Sequence, residues 1–202
     1  MRPLAAVLLA ASCLLVLAAC GQDDEIFRAN PSQQQDPDDA AIRAEIAALA
    51  NGAKTDDPDA SVRYDRAVNA LILRGTKIET RLIDTLRSDP DAWIRVGCVE
   101  VMTAVGTKAC IEHLIAVLVD EQPLVAQRAN IALQTLTGQR MVPEAGKPDK
   151  DGVEAVPARA ADDLALDAEE RIWAAWYERN KDALQAAWQR WWTANKATFS
   201  LK

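Results

Sequence analysis

The chain has 202 residues and a formal net charge of −7, with 23 Lys and Arg against 30 Asp and Glu. This acidic balance argues against a nucleic-acid partner, because the binding of phosphates requires clustered basic side chains. A single histidine excludes multi-histidine metal sites and the familiar histidine-based catalytic motifs, so we predict no metal and no cofactor.

The N-terminus has the three parts of a secretory signal: basic Arg2, an apolar run over 4–16, and small residues before a cysteine. The run is too short to span a bilayer, which needs about 20 apolar residues. Residues 17–20, Leu-Ala-Ala-Cys, resemble a bacterial lipobox, which implies cleavage before Cys20 and attachment of a diacylglycerol to its thiol. Residues 1–19 are therefore predicted to be a lipoprotein signal peptide, and an ordinary secretory peptide is the alternative.

The lipobox resemblance also implies a location in the cell envelope. Acyl chains on Cys20 would hold the processed protein on a membrane. In some Gram-negative bacteria an Asp after the lipidated cysteine retains the protein in the inner membrane, and Gly21 stands there, which favours the outer membrane. Residues 20–39 are mostly polar and are predicted to be a flexible tether. Loss of Arg2 with the signal changes the formal charge from −7 to −8.

A pattern recurs along the middle of the chain. Residues 57–63, Asp-Pro-Asp-Ala-Ser-Val-Arg, return as Asp-Pro-Asp-Ala-Trp-Ile-Arg at 89–95. Apolar residues spaced by three and four predict helices throughout this part. Small and apolar positions align at a spacing of 31 over three copies: Ala67, Cys98 and Ala129; Ala70, Val101 and Ala132; Leu71, Met102 and Leu133. The copies end at Gly75, Gly106 and Gly138.

The first two copies are each predicted to contain a helix, a short turn and a second helix. We expect Asp57 and Asp89 to cap the first helices, with the following proline in the first helical turn. Arg63 and Arg95 are expected to bridge neighbouring copies. The third copy departs from the pattern, because Glu-Gln-Pro stands at 121–123 and no arginine follows at the equivalent position.

The pattern D-P-x-x-x-V-R-x-x-A-x-x-A-L, with a period of about 30 residues, resembles HEAT repeats, in particular the short type shared with phycobilisome lyase-like proteins. The resemblance implies an all-α fold, an αα-superhelix or HEAT-like solenoid over 40–138, in which helical hairpins stack on one another. A helix at 40–50 would cap its N-terminal end, and a Trp-rich helical cap at 168–202 would close the other. A helical bundle is the alternative.

Residues 139–167 are rich in proline, glycine and charge, and are predicted to be a long polar, mobile loop. Whether this loop is functional stays open. Asp-Lys-Asp-Gly at 149–152 lacks the other ligands of an EF-hand, so we predict no calcium site there. Five of the six tryptophans lie between 173 and 192 at helical spacing and are predicted to seal the end of the helical array, with a break near Asn180 left open. Trp-x-x-Trp-Trp-x-x-Asn at 188–195 resembles the endings of some bacterial HEAT-repeat envelope proteins.

The two remaining cysteines, Cys98 and Cys110, are predicted to be buried and unpaired. In a helical hairpin they are offset by about 9 Å along the helix axes, beyond disulfide reach. Cys110 and His113, with Glu112 nearby, form the one local pair that suggests a thiolate-imidazole dyad. We interpret them as a packed thiol beside a solvated imidazole, so no catalytic residues and no enzymatic activity are predicted. A lyase-like enzyme using this pair is a further alternative.

These features together predict a membrane-anchored scaffold or adaptor of the cell envelope that binds another protein of unknown identity. The binding surface is expected on the second helices of the repeats. Its candidate residues are Arg81, Asp84, Arg87, Glu112 and His113. The alternative is a glycan- or peptidoglycan-binding module, in which exposed, coplanar tryptophan rings between residues 173 and 192 stack on sugars.

Overall fold

The computed structural model describes residues 37–54, 56–157 and 166–201. Within these ranges there is no β-strand, so the prediction of an all-α fold is confirmed. The helices of the described part are α1 (Pro37–Ala48), α2 (Ala60–Leu73), α3 (Glu79–Ser88), α4 (Ala92–Val105), α5 (Cys110–Ala116), α6 (Pro123–Thr137) and α7 (Leu166–Asn195). The predicted signal peptide, Cys20 and most of the predicted tether lie outside the described residues.

The helices that follow the repeated motif begin two residues later than predicted. The second aspartate of the motif, not the first, is the N-cap residue. Asp91 is the N-cap of α4, and its side chain accepts hydrogen bonds from the backbone N–H of Trp93 at 2.8 Å and of Ile94 at 3.4 Å. Asp89 instead accepts from the N–H of Asp91 at 2.9 Å. The prediction that Asp89 caps the helix is therefore wrong, and Pro90 precedes the cap.

The same turn occurs in the other two copies. Asp57 accepts from the N–H of Asp59, the N-cap residue of α2, at 3.0 Å. In the third copy Asp120, which lies 31 residues after Asp89, accepts from the N–H of Gln122 at 2.8 Å. Asp120 is therefore the equivalent aspartate of the third copy. The sequence pattern does not reveal this aspartate, because no proline follows Asp120. The nearby proline is Pro123, in the first turn of α6.

The two motif arginines behave differently. Arg95 forms a two-pronged ion pair with Asp120, at 3.0 Å and 2.8 Å, and both side chains are more than nine-tenths buried. Its remaining nitrogen donates to the carbonyl oxygen of Asp89 at 2.9 Å. Arg63 pairs with Asp57 of its own copy instead. The expectation that these arginines bridge neighbouring copies is thus confirmed at Arg95 and wrong at Arg63.

Residues Ala41–Lys202 form one compact unit in which α4 packs against α2, α3 and α6. Small side chains allow the first helices of the copies to approach closely, and Ala67, Cys98 and Ala129 are all buried at equivalent positions. Helix α6 in turn packs against α5 and α7. Cys98 and Cys110 are buried and unpaired, as predicted. Burial raises the pKa of each thiol to about 12, so both are protonated at neutral pH.

Helix α7 runs without interruption through Asn180, so a break there is excluded. The Asn180 side chain is buried, donates to the carbonyl oxygen of Trp176 at 2.9 Å and accepts from the N–H of Glu154 at 2.8 Å. Trp176 donates its indole N–H to the carbonyl oxygen of Ala155 at 3.1 Å. The predicted loop is described over 139–157, and these bonds hold that part against α7. The expectation of a mobile loop is therefore wrong for residues 139–157.

A tight turn organises the same loop. Lys150 and Val153 exchange backbone hydrogen bonds at 3.1 Å and 2.9 Å, and Val153 is fully buried. The intervening Asp151 and Gly152 have φ angles of 57° and 81°, as a type I′ turn requires at both central positions. The Asp-Gly dipeptide is a strong signal for this turn, so the segment that resembles the start of a calcium loop is a hairpin turn.

Candidate functional site

The tryptophans of α7 are mainly part of the core. Trp176, Trp188 and Trp192 are at most 6% exposed. Trp188 donates its indole N–H to the Asn130 side chain at 3.0 Å, and Trp192 donates to the Glu112 carboxylate at 2.9 Å. These three buried rings offer no platform for sugars, since stacking on a sugar needs an exposed ring face, whereas Trp173 and Trp191 are half-buried.

A groove lies between α6, α7 and the loop. It consists of two adjoining cavities of about 560 Å³ and 540 Å³, which share Gln127, Trp173 and Tyr177 in their linings. One cavity extends to the loop at Val142 and the other to Trp93 on α4. Most of the lining surface is apolar. We call this feature the α6 groove.

One face of α6 forms the floor of the groove. Leu124, Gln127, Ile131 and Gln134 all line it, and their spacing of three and four residues places them on the same side of the helix. Ile131 is 43% exposed although it lies on a helix that is otherwise well packed. Ile131 adds exposed apolar surface to the mainly apolar lining of the groove.

The walls of the groove are fixed by buried polar contacts. The side-chain amide of Asn130 on α6 donates to the hydroxyl of Tyr177 at 3.4 Å, and its oxygen accepts a hydrogen bond from the indole N–H of Trp188. Burial raises the pKa of Tyr177 to about 12, so its hydroxyl stays neutral. On the loop side, Asn180 and Trp176 hold residues 154 and 155 in place. The groove is thus preformed, because both walls are bonded to the body of the protein.

The groove also contains hydrogen-bonding groups that are open to solvent, since no buried side-chain N or O atom of the described part lacks a partner. Among the residues that the structure describes, none forms a hydrogen bond with the side-chain amide of Gln127 or Gln134, or with the indole N–H of Trp173. Among the charged residues of the lining, Arg140 pairs with Glu144 at 3.2 Å and Arg128 approaches Glu100 at 3.6 Å, whereas Glu170 is exposed. The groove therefore combines a mainly apolar lining with amides and with charged groups at its rim.

The residues predicted to bind a partner lie elsewhere. Arg81, Asp84 and Arg87 are on α3, and Glu112 and His113 are on α5, which packs against α3. None of the five lines the α6 groove. Asp84 and Arg87 are exposed, whereas Glu112 is engaged within the chain.

Glu112 connects α5 to the end of α7. Besides the bond from Trp192, its carboxylate lies 3.7 Å from the Lys196 ammonium group. The hydrogen bond from Trp192 and then the charge of Lys196 hold the pKa of Glu112 below its ordinary value. Lys108 lies over the Trp192 ring, 5.9 Å from its centroid. Glu112 therefore belongs to a contact between α5 and α7 rather than to a vacant surface.

The cysteine of the suggested dyad points into the structure. Cys110 is fully buried and its thiol donates to the carbonyl oxygen of Thr107 at 3.0 Å. A thiol with a pKa of about 12 is a poor nucleophile at neutral pH. Within the described ranges, no group of His, Cys, Asp and Glu side chains is arranged to hold a metal ion.

Sequence reasoning missed the groove, although two signals for it were present. Ile131 interrupts the polar face of α6, and Gln127 and Gln134 flank it at helical spacing.

No helix of the described part is long and apolar enough to cross a membrane. Comparisons with protein-family models, with curated proteins and with solved structures gave no match.

Proposed function

We propose that this protein is a lipid-anchored adaptor of the cell envelope, which holds a segment of another protein in the α6 groove. The observation that carries the proposal is the combination found there: an open apolar cavity, an exposed Ile131, and amides of Gln127 and Gln134 without a partner. Apolar clefts with a few placed polar groups are typical binding sites. The proposal moves the predicted surface from the second helices to α6.

The repeat pattern supports the view that the chain is a short HEAT-like solenoid. Equivalent aspartates stand two residues before the N-caps of α2, α4 and α6, and Arg95 links the second copy to the third through Asp120. In this scheme α7 takes the place of the second helix of the third copy. Residues 138–165 would then be an insertion within that copy, and its described residues Val142 and Val156 line the groove beside α6.

The lipobox resemblance supports the anchoring half of the proposal. Residues 37–39 of the predicted tether are in α1, so the tether would cover 21–36. Lipidation of Cys20 would then keep the groove within reach of partners near a membrane, at a root-mean-square tether length of about 22 Å by the scaling for flexible chains. We expect Cys20→Ser to abolish metabolic labelling by a fatty-acid analogue. Labelling that persists in Cys20→Ser would contradict the anchor.

Site-specific photocrosslinking tests the binding half. A photoreactive amino acid at Ile131 of the full chain, expressed in its own cells, is expected to give a discrete adduct with one protein. The matched control carries the same amino acid at Asp84, which is exposed on α3 and is expected to give none. An adduct at Asp84 without one at Ile131 would return the site to the second helices, and an adduct with glycan strands would favour the sugar-binding alternative.

A further inference from the structure

Two dipeptides of the chain have the same intrinsic reactivity. Glycine follows asparagine at 51–52 and aspartate at 151–152, and it follows neither residue anywhere else. Because glycine has no Cβ, its backbone nitrogen can approach the side-chain carbonyl carbon of the preceding residue without a clash and bond to it. The product is a five-membered succinimide, which water reopens to aspartate or to isoaspartate. In a flexible chain the asparagine reacts faster, because its amide is neutral whereas the carboxyl group of aspartate is mostly ionised.

The fold protects the asparagine of the first dipeptide. Asn51 lies in the 3₁₀ helix Leu49–Ala53, which follows α1. Its side-chain amide forms three hydrogen bonds, to the carbonyl oxygen of Ala48 at 2.6 Å and from the side chains of Lys54 at 3.2 Å and Arg63 at 3.3 Å. The Trp93 ring packs so closely against Gly52 that a Cβ there would overlap it. Cyclisation at Asn51 would therefore break these bonds and rotate a peptide group against the Trp93 ring.

The aspartate of the second dipeptide is in a different environment. Asp151 is exposed at the tip of the hairpin turn, with the Arg190 guanidinium 3.6 Å from its carboxylate. The turn closes through the two backbone bonds between Lys150 and Val153, and neither uses the peptide group that joins Asp151 to Gly152. Within the described ranges, no group accepts a hydrogen bond from the Gly152 N–H. This peptide group can therefore rotate while the turn stays closed.

Such a rotation brings the reacting atoms together. Turns of type I′ and type II′ share a φ of about +60° at the first central residue, and ψ there is about +30° in type I′ and about −120° in type II′. The φ of Asp151, 57°, thus suits both turns. At a ψ of about −120° the nitrogen of Gly152 eclipses the Cα–Cβ bond of Asp151, because the substituents of Cα are about 120° apart. The nitrogen then lies beside Cγ, as ring closure requires.

Few contacts oppose the rotation. Gly152 adopts a negative φ as readily as its present 81°. A Cβ at Gly152 would meet nothing nearer than the side chain of Ala183 at 3.8 Å, so the peptide group is not packed against other atoms. The carbonyl oxygen of Asp151 loses only a long contact with Arg190, at 3.5 Å. Type II′ favours glycine at its first central position, so the rotated form is a minor state and the reaction is slow.

From this contrast we propose that Asp151 is a site of spontaneous conversion to isoaspartate, in preference to Asn51. The nitrogen of Gly152 bonds to Cγ of the protonated Asp151 side chain, and the hydroxyl group leaves with the amide proton as water. Water then adds to one of the two ring carbonyl carbons, and the bond from that carbon to nitrogen breaks. Addition at Cγ restores aspartate, whereas addition at the main-chain carbon gives isoaspartate. No oxidant or reductant takes part, and the overall composition is unchanged.

The modification would open the hairpin. In isoaspartate the main chain runs through the side-chain methylene, so the two-residue turn gains a backbone atom and no longer matches its two closing bonds. Val153, which is fully buried, and the bond from Glu154 to Asn180 come directly after this turn. The loop would therefore loosen from α7, and the change would reach the α6 groove at Val156. This inference does not depend on the proposed function.

Labelling with heavy oxygen tests the proposal. The full chain in detergent micelles is kept folded for several weeks at neutral pH in water enriched in heavy oxygen, and is then digested in ordinary water. Each passage through the succinimide leaves one heavy oxygen, which fragmentation mass spectrometry assigns to a residue. We expect at least about tenfold more label at Asp151 than at Asn51, because three hydrogen bonds have to break at Asn51. Asp149, exposed in the same loop but followed by lysine, should stay unlabelled.

Denaturant separates the effect of the fold from that of the dipeptides. In guanidinium chloride the order is expected to reverse, with faster reaction at Asn51 than at Asp151, because the bonds that protect the asparagine are lost. An order that is the same in folded and unfolded protein would overturn the proposal.

Variants of the turn provide a second test. Asp151→Asn retains a dipeptide that suits type I′ and is expected to accelerate the formation of isoaspartate at 151 by at least about tenfold. Asp151→Gly also suits this turn and should remove isoaspartate from the hairpin. Asp149→Asn is the matched control and should leave the reaction at Asp151 unchanged. Circular dichroism confirms that each variant is folded.

The structural consequence is measured by hydrogen exchange. In the modified fraction, separated by chromatography, the amides of Val153 and Glu154 are expected to lose their protection. Protection that persists would overturn the opening of the hairpin. Label at Asn51 equal to or above that at Asp151 in the folded chain would overturn the proposal itself, and so would an unchanged rate in Asp151→Asn.

Discussion

The α6 groove and the surface of α3 and α5 differ in how their polar groups are used. The groove is held together from beneath by buried contacts of Asn130 and Asn180, and its free amides face an apolar cavity. On α3 and α5 the polar side chains are mostly exposed, and Glu112 is already bonded to α7. A charged side chain on a helix face is therefore a weak guide to an open surface where, like Glu112, it already bonds within the chain.

Removal of the contact beneath the groove should have the largest effect. Asn130→Ala is expected to lower the free energy of unfolding by about 2–3 kcal/mol, because the buried indole N–H of Trp188 and the hydroxyl of Tyr177 lose their partner. Chemical denaturation measures this change. Asn69→Ala, at an exposed position of α2, is the control and should change stability by less than about 0.5 kcal/mol. Equal effects at the two sites would contradict a wall held by Asn130.

Asn180 provides a test of the loop side of the groove. Asn180→Ala is expected to cost about 1–2 kcal/mol, because the N–H of Glu154 and the carbonyl oxygen of Trp176 lose a buried partner. Hydrogen exchange at the Glu154 amide should become faster than in the parent chain. Unchanged exchange at that amide would show that the loop is held by other contacts.

A comparison of two charge changes tests the groove against the α3 surface. Ile131→Glu introduces a charge into the apolar groove and is expected to weaken partner binding by at least about tenfold, or 1.4 kcal/mol. Asp84→Lys reverses a charge on exposed α3 and is expected to leave binding within about twofold. Quantitative recovery of the crosslinked partner, or direct titration, measures both. The reverse ranking would place the binding surface on α3 and α5.

The contact between α5 and α7 should show the smallest effect. Glu112→Gln is expected to cost less than about 1 kcal/mol at neutral pH, because the pair with Lys196 is exposed to solvent. The folded state lowers the pKa of Glu112, so the stabilisation is present above its ordinary value of 4.5 and is lost as the pH falls through the folded value. Denaturation of both proteins at neutral and acidic pH should therefore converge in acid.

Much of the helical framework follows from the sequence. The spacing of 31 predicts buried positions at Ala67, Cys98 and Ala129, and these are buried in the structure. The bridging role of Arg95 is also predictable, because its repeated position places it next to the following copy. The register of the caps was wrong by two residues, since several aspartates near a helix start can each bond to a nearby N–H.

The α6 groove could not be predicted in the same way. Its lining comes from Trp93, from α6, from the loop around Val142 and from Trp173, which are far apart along the chain. The polar composition of the loop predicts a mobile segment without contacts to the core. Its attachment depends on the buried side chains of Val153 and Asn180, and neither reveals its partner through local pattern.

The sequence by itself determined the helices, the periodic core positions and the unpaired cysteines, because helical periodicity and rise per residue are local properties. Only the tertiary structure decided which side of α6 stays open, which tryptophans are buried, and that Glu112 contacts α7. These features depend on the packing of α7 against α6, which is set by contacts between residues distant in sequence.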